Sequence, residues 1–235
     1  MVNARSSPEA PGVLAVGVDE SPPPPLCFGL PGTPEFRGFE VDLLEALASR
    51  LGVELRCRSA LWSVALDELR SGRMDMICTA ATITAERRQM VEFSDPYFEA
   101  ELALIVRQGE TVRWPDGMAG KTVGVRVATT AEEFLRGQGL PVTVRTFDFN
   151  VDAYRALRDE EVDAVVDDHP IGSYFARSQD GLALGPRLAG TTFRYGLVFS
   201  KGNDGLRDRV NRALAEVRAD GTLERIHQRW FTDSP

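Results

Sequence analysis

The densest chemistry in this sequence lies in Ala80-Ala81-Thr82-Ile83-Thr84-Ala85-Glu86-Arg87, running on to Phe93-Ser94-Asp95-Pro96-Tyr97. Ala80 and Ala81 are small enough to let a bound molecule approach the main chain. Thr82 adds a hydroxyl, and Arg87 a planar guanidinium whose parallel N–H groups match a carboxylate. The same letters also read as an ordinary strand-to-helix loop, in which Thr84-x-x-Arg87 opens a solvated helix and Arg87 is a surface charge. A second concentration of charge is Asp167-Asp168-His169-Pro170. Two acids beside a histidine hint at a metal, but no third ligand stands at a usable spacing, so neither a metal nor a cofactor is expected. Asp19, followed by Glu20, and Arg126 are charges that close apolar runs. Thr130 with Glu133 has the spacing of a capping box, and the N–H groups of a helix starting there favour an anion. Trp62 is either a core residue on an apolar helix face or an aromatic wall at a pocket mouth.

Each of these residues ends an element that must hold it. Met74 to Cys78 is a short apolar run, the pattern of a buried parallel strand, and it feeds the Ala80 loop. Val13 to Val18 is a second such strand, delivering Asp19 before four consecutive prolines that permit neither helix nor central strand. An open parallel sheet gathers ligand groups at such strand ends. Leu44, Leu47, Ala48 and Leu51 share one helical face that Gly52 terminates, as do Trp62, Ala65, Leu66 and Leu69 ahead of Gly72. Strands are expected at Val53 to Arg58, Leu102 to Val106, Lys121 to Arg126, Val142 to Phe147 and Val162 to Val166. Phe193 to Ser200 reads as one further strand. Helices are expected at Asp152 to Asp159, Leu206 to Asp220 and Leu223 to Phe231. Strand-helix alternation throughout predicts an α/β fold with mostly parallel sheets.

The 235 residues suffice for one large domain or two lobes with real cores. A net charge of -8, with no Lys/Arg run longer than two, argues against a nucleic-acid or anionic-membrane surface. No apolar stretch reaches membrane-spanning length. Cys27, Cys57 and Cys78 are an odd number without close spacing, and Cys57 and Cys78 read as core fillers. Met1 to Gly12 is polar, rich in Pro and Ser, and has no apolar signal core. A leader already removed, a soluble piece of something larger, or a cytoplasmic residence would each fit.

Seven stretches in order carry a resemblance. They are Gly38-Phe39-Glu40-Val41-Asp42-Leu43, the Trp62-to-Asp75 helix and strand, Thr82-Ile83-Thr84-Ala85-Glu86-Arg87, Phe93 to Tyr97, Gly120-Lys121-Thr122-Val123-Gly124-Val125, Val162 to Asp168, and Gly221 to Phe231. Together the chain resembles the polar amino-acid-binding proteins of ABC importers, in the glutamine/lysine-arginine-ornithine/histidine group. The resemblance implies a type II periplasmic-binding-protein fold with two hinge strands. Lobe 1 would be residues 13–106 plus 201–235 and lobe 2 residues 107–200, with 1–12 a flexible lead. It also implies a monomer outside the cytoplasm, in the periplasm or at the cell exterior, that hands an amino acid to an ABC transporter permease and is not an enzyme.

Residue by residue, the resemblance puts the α-carboxylate on Arg87, on Ala80, Ala81 and Thr82, and on the helix start at Thr130. The α-ammonium falls to Asp168, the aromatic wall to Trp62 and side-chain recognition to Asp19. Two departures stand out. Prolines occupy the region where many members carry a second aromatic, and Val127-Ala128-Thr129-Thr130 replaces a Ser/Gly-rich turn. Arg126 as donor with Asp19 as acceptor would suit an amide, hence a glutamine-like ligand, whereas Arg126 alone would suit glutamate or aspartate and Asp19 alone arginine or lysine. Similar scaffolds are known as cyclohexadienyl dehydratases, for which Asp167, Asp168 or Glu20 would be the acid, and as ligand-sensing domains of receptors.

Overall fold

The computed structural model describes residues 12–231, and residues 1–11 of the expected flexible lead lie outside that range. The described residues form two compact units, 12–98 with 194–231 and 99–193. Alternation of apolar strands and amphipathic helices builds each unit.

In the first unit, β1 (Val13–Asp19) is buried along its length and pairs in parallel with β2 (Glu54–Ala60) and with the two-residue β3 (Met76–Ile77). The intervening helix α1 (Phe39–Leu51) buries Phe39, Leu43, Leu44 and Leu47 and ends on Gly52 in the left-handed region. Its entry is tight. A Cβ on Gly38, at φ +143, would overlap the Leu26 carbonyl, so only glycine admits this approach. Helix α2 (Trp62–Ser71) ends in the same way on Gly72. The side chains of Trp62 and Ser63 lie outside the described residues. After α3 (Arg87–Met90), β4 (Glu92–Phe93) closes one edge of the sheet.

In the second unit, β6 (Leu102–Arg107), β7 (Thr122–Arg126), β8 (Thr143–Phe147), β9 (Ala164–Asp168) and β10 (Leu182–Arg187) make a sheet in the order β10-β6-β9-β7-β8. Helices α4 (Thr130–Gly137), α5 (Asn150–Arg158) and α6 (His169–Ser178) connect and cover these strands. The core of this unit gathers Leu104, Val106, Val123, Val125, Leu135 and Val166.

The chain leaves the first unit through β5 (Phe98–Ala100) and returns through β11 (Phe193–Tyr195), and these two segments pair as a two-stranded sheet. The crossings therefore come earlier than the expected boundaries at 106/107 and 200/201. The reason is pairing. β6 is antiparallel to β9 and β10, which makes it a strand of the second unit. The segment Val198–Phe199, here β12, is antiparallel to β3 and β4, which makes it a strand of the first. The predicted single strand from Phe193 to Ser200 is thus two strands. Gly196 separates them where a Cβ would come within 2.9 Å of Ile83. Each five-stranded sheet is mixed, with two parallel and two antiparallel pairings, rather than mostly parallel.

Helices α7 (Asp204–Ala219) and α8 (Thr222–Phe231) finish the first unit by packing on α1. Asp42 on α1 accepts from both Arg229 Nη1 (2.9 Å) and the Trp230 indole N–H (2.8 Å), tying α8 down. Phe231 then lies beside Phe98, with ring centroids 4.9 Å apart. Asp42→Ala is expected to cost about 1–2 kcal/mol, because the half-buried indole N–H loses its acceptor while the arginine remains solvated. Urea unfolding checks this. An unchanged midpoint would show that α8 is held by its apolar face alone.

Candidate functional site

The site residues of the first unit stand on the loop that follows β3. Ala80 is in the left-handed region at φ +51, which an alanine adopts only when neighbours hold it there. The partner of its N–H is Glu40. Its Oε1 accepts the Ala80 N–H at 2.7 Å and also the Tyr97 hydroxyl. The Cys78 thiol lies near the same carboxyl group. Glu40 is only 4 % exposed. Burial raises its pKa above the ordinary value, the donors from Tyr97 and Ala80 and the Cys78 thiol oppose that, and nearby Asp19 adds to it.

The rest of the loop is laced to the returning chain. Ile83 N–H donates to Arg194 O (2.8 Å), Gly196 N–H to Ala81 O (3.0 Å), and Thr82 bridges Tyr195. Arg87 opens α3. Its backbone N–H donates to Thr84 Oγ1 (3.1 Å) and its Nη1 to Thr82 O (3.2 Å), so the half-buried guanidinium curls back over the loop. Ala80, Ala81, Thr82 and Arg87 therefore form one local constellation, with Ala81 and Thr82 buried. Asp19 ends β1, and its Oδ1 accepts the Ser21 N–H at 2.9 Å. Trp62 opens α2, but its side chain is outside the described residues.

In the second unit, Arg126 ends β7. Its Nε donates to Asp148 O (3.1 Å) and its Nη1 to Asn150 Oδ1 (3.3 Å). Thr130 is the first residue of α4, but the capping box sits one position earlier than the spacing predicted. Thr129 Oγ1 accepts from Glu132 N–H (3.3 Å), and Glu132 Oε2 accepts the N–H of Ala128, a residue at φ +60. The local reason is that Thr129 is the residue still extended, at φ -106 and ψ 160, as a cap must be.

Asp168 is the last residue of β9 and the residue preceding α6. Beneath it lies Asp167, buried, with three donors. Asn150 Nδ2 and the Tyr154 hydroxyl both reach its Oδ2 at 2.6 Å, and the Asp168 N–H reaches Oδ1 at 2.8 Å. Asn150 thus links the buried carboxylate to Arg126. Burial pushes the Asp167 pKa up, while the hydrogen bonds and the Arg126 charge oppose it. His169 is shifted down, chiefly by burial. No group of three His, Cys, Asp or Glu side chains suited to a metal occurs among the described residues.

Sequence reasoning passed over Glu40 and gave Asp167 only the part of an acid. Both are support beneath a site residue. The available signal was an acid directly beside apolar positions, Phe39 and Val41 in one case and Val166 in the other, where a surface charge would be out of phase.

Two α/β units, each ending its strands in charged or donor groups and joined by two crossings, define the two-lobe solute-binding class with the type II periplasmic fold. Comparison with known proteins places the chain within that class. Residues 14–233 match the bacterial extracellular solute-binding proteins, family 3, and the chain belongs to that family. The L-cystine-binding protein TcyJ of Escherichia coli K12 is 34% identical over 226 residues, covering 94% of this chain and 83% of the relative. An ancestral arginine-binding protein solved with glutamine superposes with a TM-score of 0.85 at 33% identity, over 96% of this chain and 100% of that one. AncCDT-1, an ancestral amino-acid-binding protein described as a precursor of cyclohexadienyl dehydratase, superposes at 0.84 with 28% identity, over 94% and 96%.

Proposed function

We propose that the protein binds a free polar L-amino acid between its two lobes by hinge closure and delivers it to an ABC-type importer outside the cytoplasm. The carrying observation is the Arg87 loop, where a guanidinium curls over small residues whose backbone is pinned from below. A free amino acid is a zwitterion and needs both an anion site and a cation site. Arg87, the Ala80–Thr82 main chain and the start of α4 at Thr130 suit the α-carboxylate. Asp168 suits the α-ammonium. Asp19 and Arg126 supply an acceptor and a donor for the side chain, and an amide such as glutamine fits that pair. The ancestral relative solved with glutamine supports this choice.

A second ligand has its own support. Cystine ends in a second ammonium and carboxylate, which also call for one acceptor and one donor, and a 34% identical relative is named for it. The dehydratase alternative has weaker support: Asp167 is engaged by Asn150, Tyr154 and the Asp168 N–H, and the related AncCDT-1 is described as amino-acid-binding.

Thermal melting of ligand-stripped protein against the twenty amino acids, cystine, ornithine and citrulline tests the reading. A ligand at a hundred times its Kd adds about 2.7 kcal/mol, a rise of roughly 5–10 °C at about 2–4 °C per kcal/mol. A rise with glutamine and none with cystine supports the first ligand, and the reverse supports the second. A flat panel, followed by turnover of prephenate or arogenate, would overturn the binding role.

A further inference from the structure

We propose that Glu40 is the positioning residue of the ligand loop, holding Ala80 in its left-handed conformation and tying it to Tyr97 at the outgoing crossing. The inference rests on the amino-acid-binding role of the Ala80 loop and deepens it. Glu40 is sealed from solvent, so it acts through Ala80 rather than on a ligand.

Three observations converge on this one carboxyl group. The first is backbone geometry. Ala80 sits at φ +51 without a glycine's freedom, and its N–H points to Glu40 Oε1 at 2.7 Å. The second is the sharing of that oxygen. The Tyr97 hydroxyl donates to it, Tyr97 N–H donates to Tyr195 O (3.0 Å), and Tyr195 bridges Thr82. A closed circuit therefore runs Glu40–Tyr97–Tyr195–Thr82 and back through Ala81 to Ala80. Tyr97 directly precedes β5 and Tyr195 ends β11, so both crossing segments meet the ligand loop in this circuit. The third is the neutral character of the donors that reach Glu40. The Tyr97 hydroxyl and the Ala80 N–H donate to it, and the like charge of Asp19 joins burial in raising its pKa. Neutral donors offset little of the desolvation that a buried acid costs. Its service is directional: it fixes where the Ala80–Thr82 N–H and C=O groups point.

The test uses the full-length chain with Glu40→Gln, Glu40→Ala, Tyr97→Phe and the double variant Glu40→Ala/Ala80→Gly. Hydrogen exchange at the Ala80 amide, in ligand-free protein, reports the positioning itself. Exchange is expected to speed up at least tenfold in Glu40→Ala relative to Glu40→Gln, which keeps an accepting Oε1. Equal rates in the two variants would overturn the proposal, whether or not any amino acid binds. Titration calorimetry with the amino acid that raises the wild-type melting temperature reports the consequence. Glu40→Ala is expected to bind at least tenfold more weakly, Glu40→Gln within about threefold of wild type, and Tyr97→Phe in between. Glycine at position 80 adopts positive φ without help, so the double variant is expected to regain part of the lost affinity. If Glu40→Ala destabilises the protein yet binds as tightly as wild type, or if glycine regains nothing, Glu40 is a structural residue only. Should Glu40→Ala not fold, the Tyr97→Phe affinity and Ala80 exchange decide: both at wild-type values would refute the circuit. A wild type that binds nothing would defeat the amino-acid reading, and exchange at Ala80 would still separate the variants.

Discussion

Arg87→Ala and Asp168→Ala are each expected to remove amino-acid binding from the calorimetric range, a loss of at least about a hundredfold. Both charges of the zwitterion leave water on binding. Deleting one partner of a desolvated pair costs on the order of 3–5 kcal/mol, because the remaining charge is stranded, and each 1.4 kcal/mol is about tenfold in affinity. Arg126→Ala is the contrast: it should still bind amino acids and change only their ranking, since Arg126 is assigned to the side chain. Ligand-free melting must accompany the titrations, because the Arg87 guanidinium also bonds the Thr82 carbonyl and its loss loosens the loop. If either Ala variant binds within tenfold of wild type, the assignment of that residue falls. If Arg126→Ala leaves the ranking unchanged, its role in preference falls.

Asp167→Ala is expected to be the most destabilising single change in the second unit, at about 3 kcal/mol or more. The substitution strands the Asn150 amide, the Tyr154 hydroxyl and the Asp168 N–H. Tyr154 is fully buried and Asn150 nearly so. Each stranded buried donor costs about 1–3 kcal/mol. A urea midpoint lowered by less than the equivalent of about 1 kcal/mol would refute this account. The pH dependence has a definite sign. Burial raises the Asp167 pKa, so the folded state keeps its proton to higher pH than the unfolded state does. The contribution of this group to stability is greatest below its unfolded pKa and declines as pH rises through the window up to its folded value. Asp167→Asn has no such window. The stability of wild type relative to Asp167→Asn should therefore fall as pH rises through it, and a flat difference would argue against a buried, protonatable Asp167.

The elements that could be read from sequence are those whose pattern is local. β1 is an unbroken apolar run, and α1 and α2 show the 3.6-residue repeat with a glycine at the end, so their limits nearly coincide with expectation. No strand is expected at β10, because Gly185 and Pro186 interrupt its apolar pattern. As the edge strand of its sheet, with a register shift between Leu184 and Arg187, it tolerates them. Where the chain changes units was misplaced because an apolar run does not reveal its sheet: Leu102 to Arg107 and Val198–Phe199 look alike and belong to different ones. The Arg87 loop is legible because small residues, a hydroxyl and then arginine follow a buried strand within a few positions. The Ala80 conformation, the support under it at Glu40 and the one-residue shift of the α4 cap were not legible, since each depends on a hydrogen bond to a backbone group whose direction no side-chain pattern encodes.

β12 lies between β3 and β4 inside the first sheet, yet it is the last strand to be made among the described residues. A ribosome delivers the second unit whole once residue 193 has emerged, while the first unit waits, its sheet split, for Val198–Phe199 and the two closing helices. During synthesis the early half of the first unit, β1 to β4, exposes strand edges that only the end of the message can cover. The order of the sequence thus makes the inserted unit the natural first folder. It leaves the first unit without β12 and its two closing helices until synthesis is nearly done.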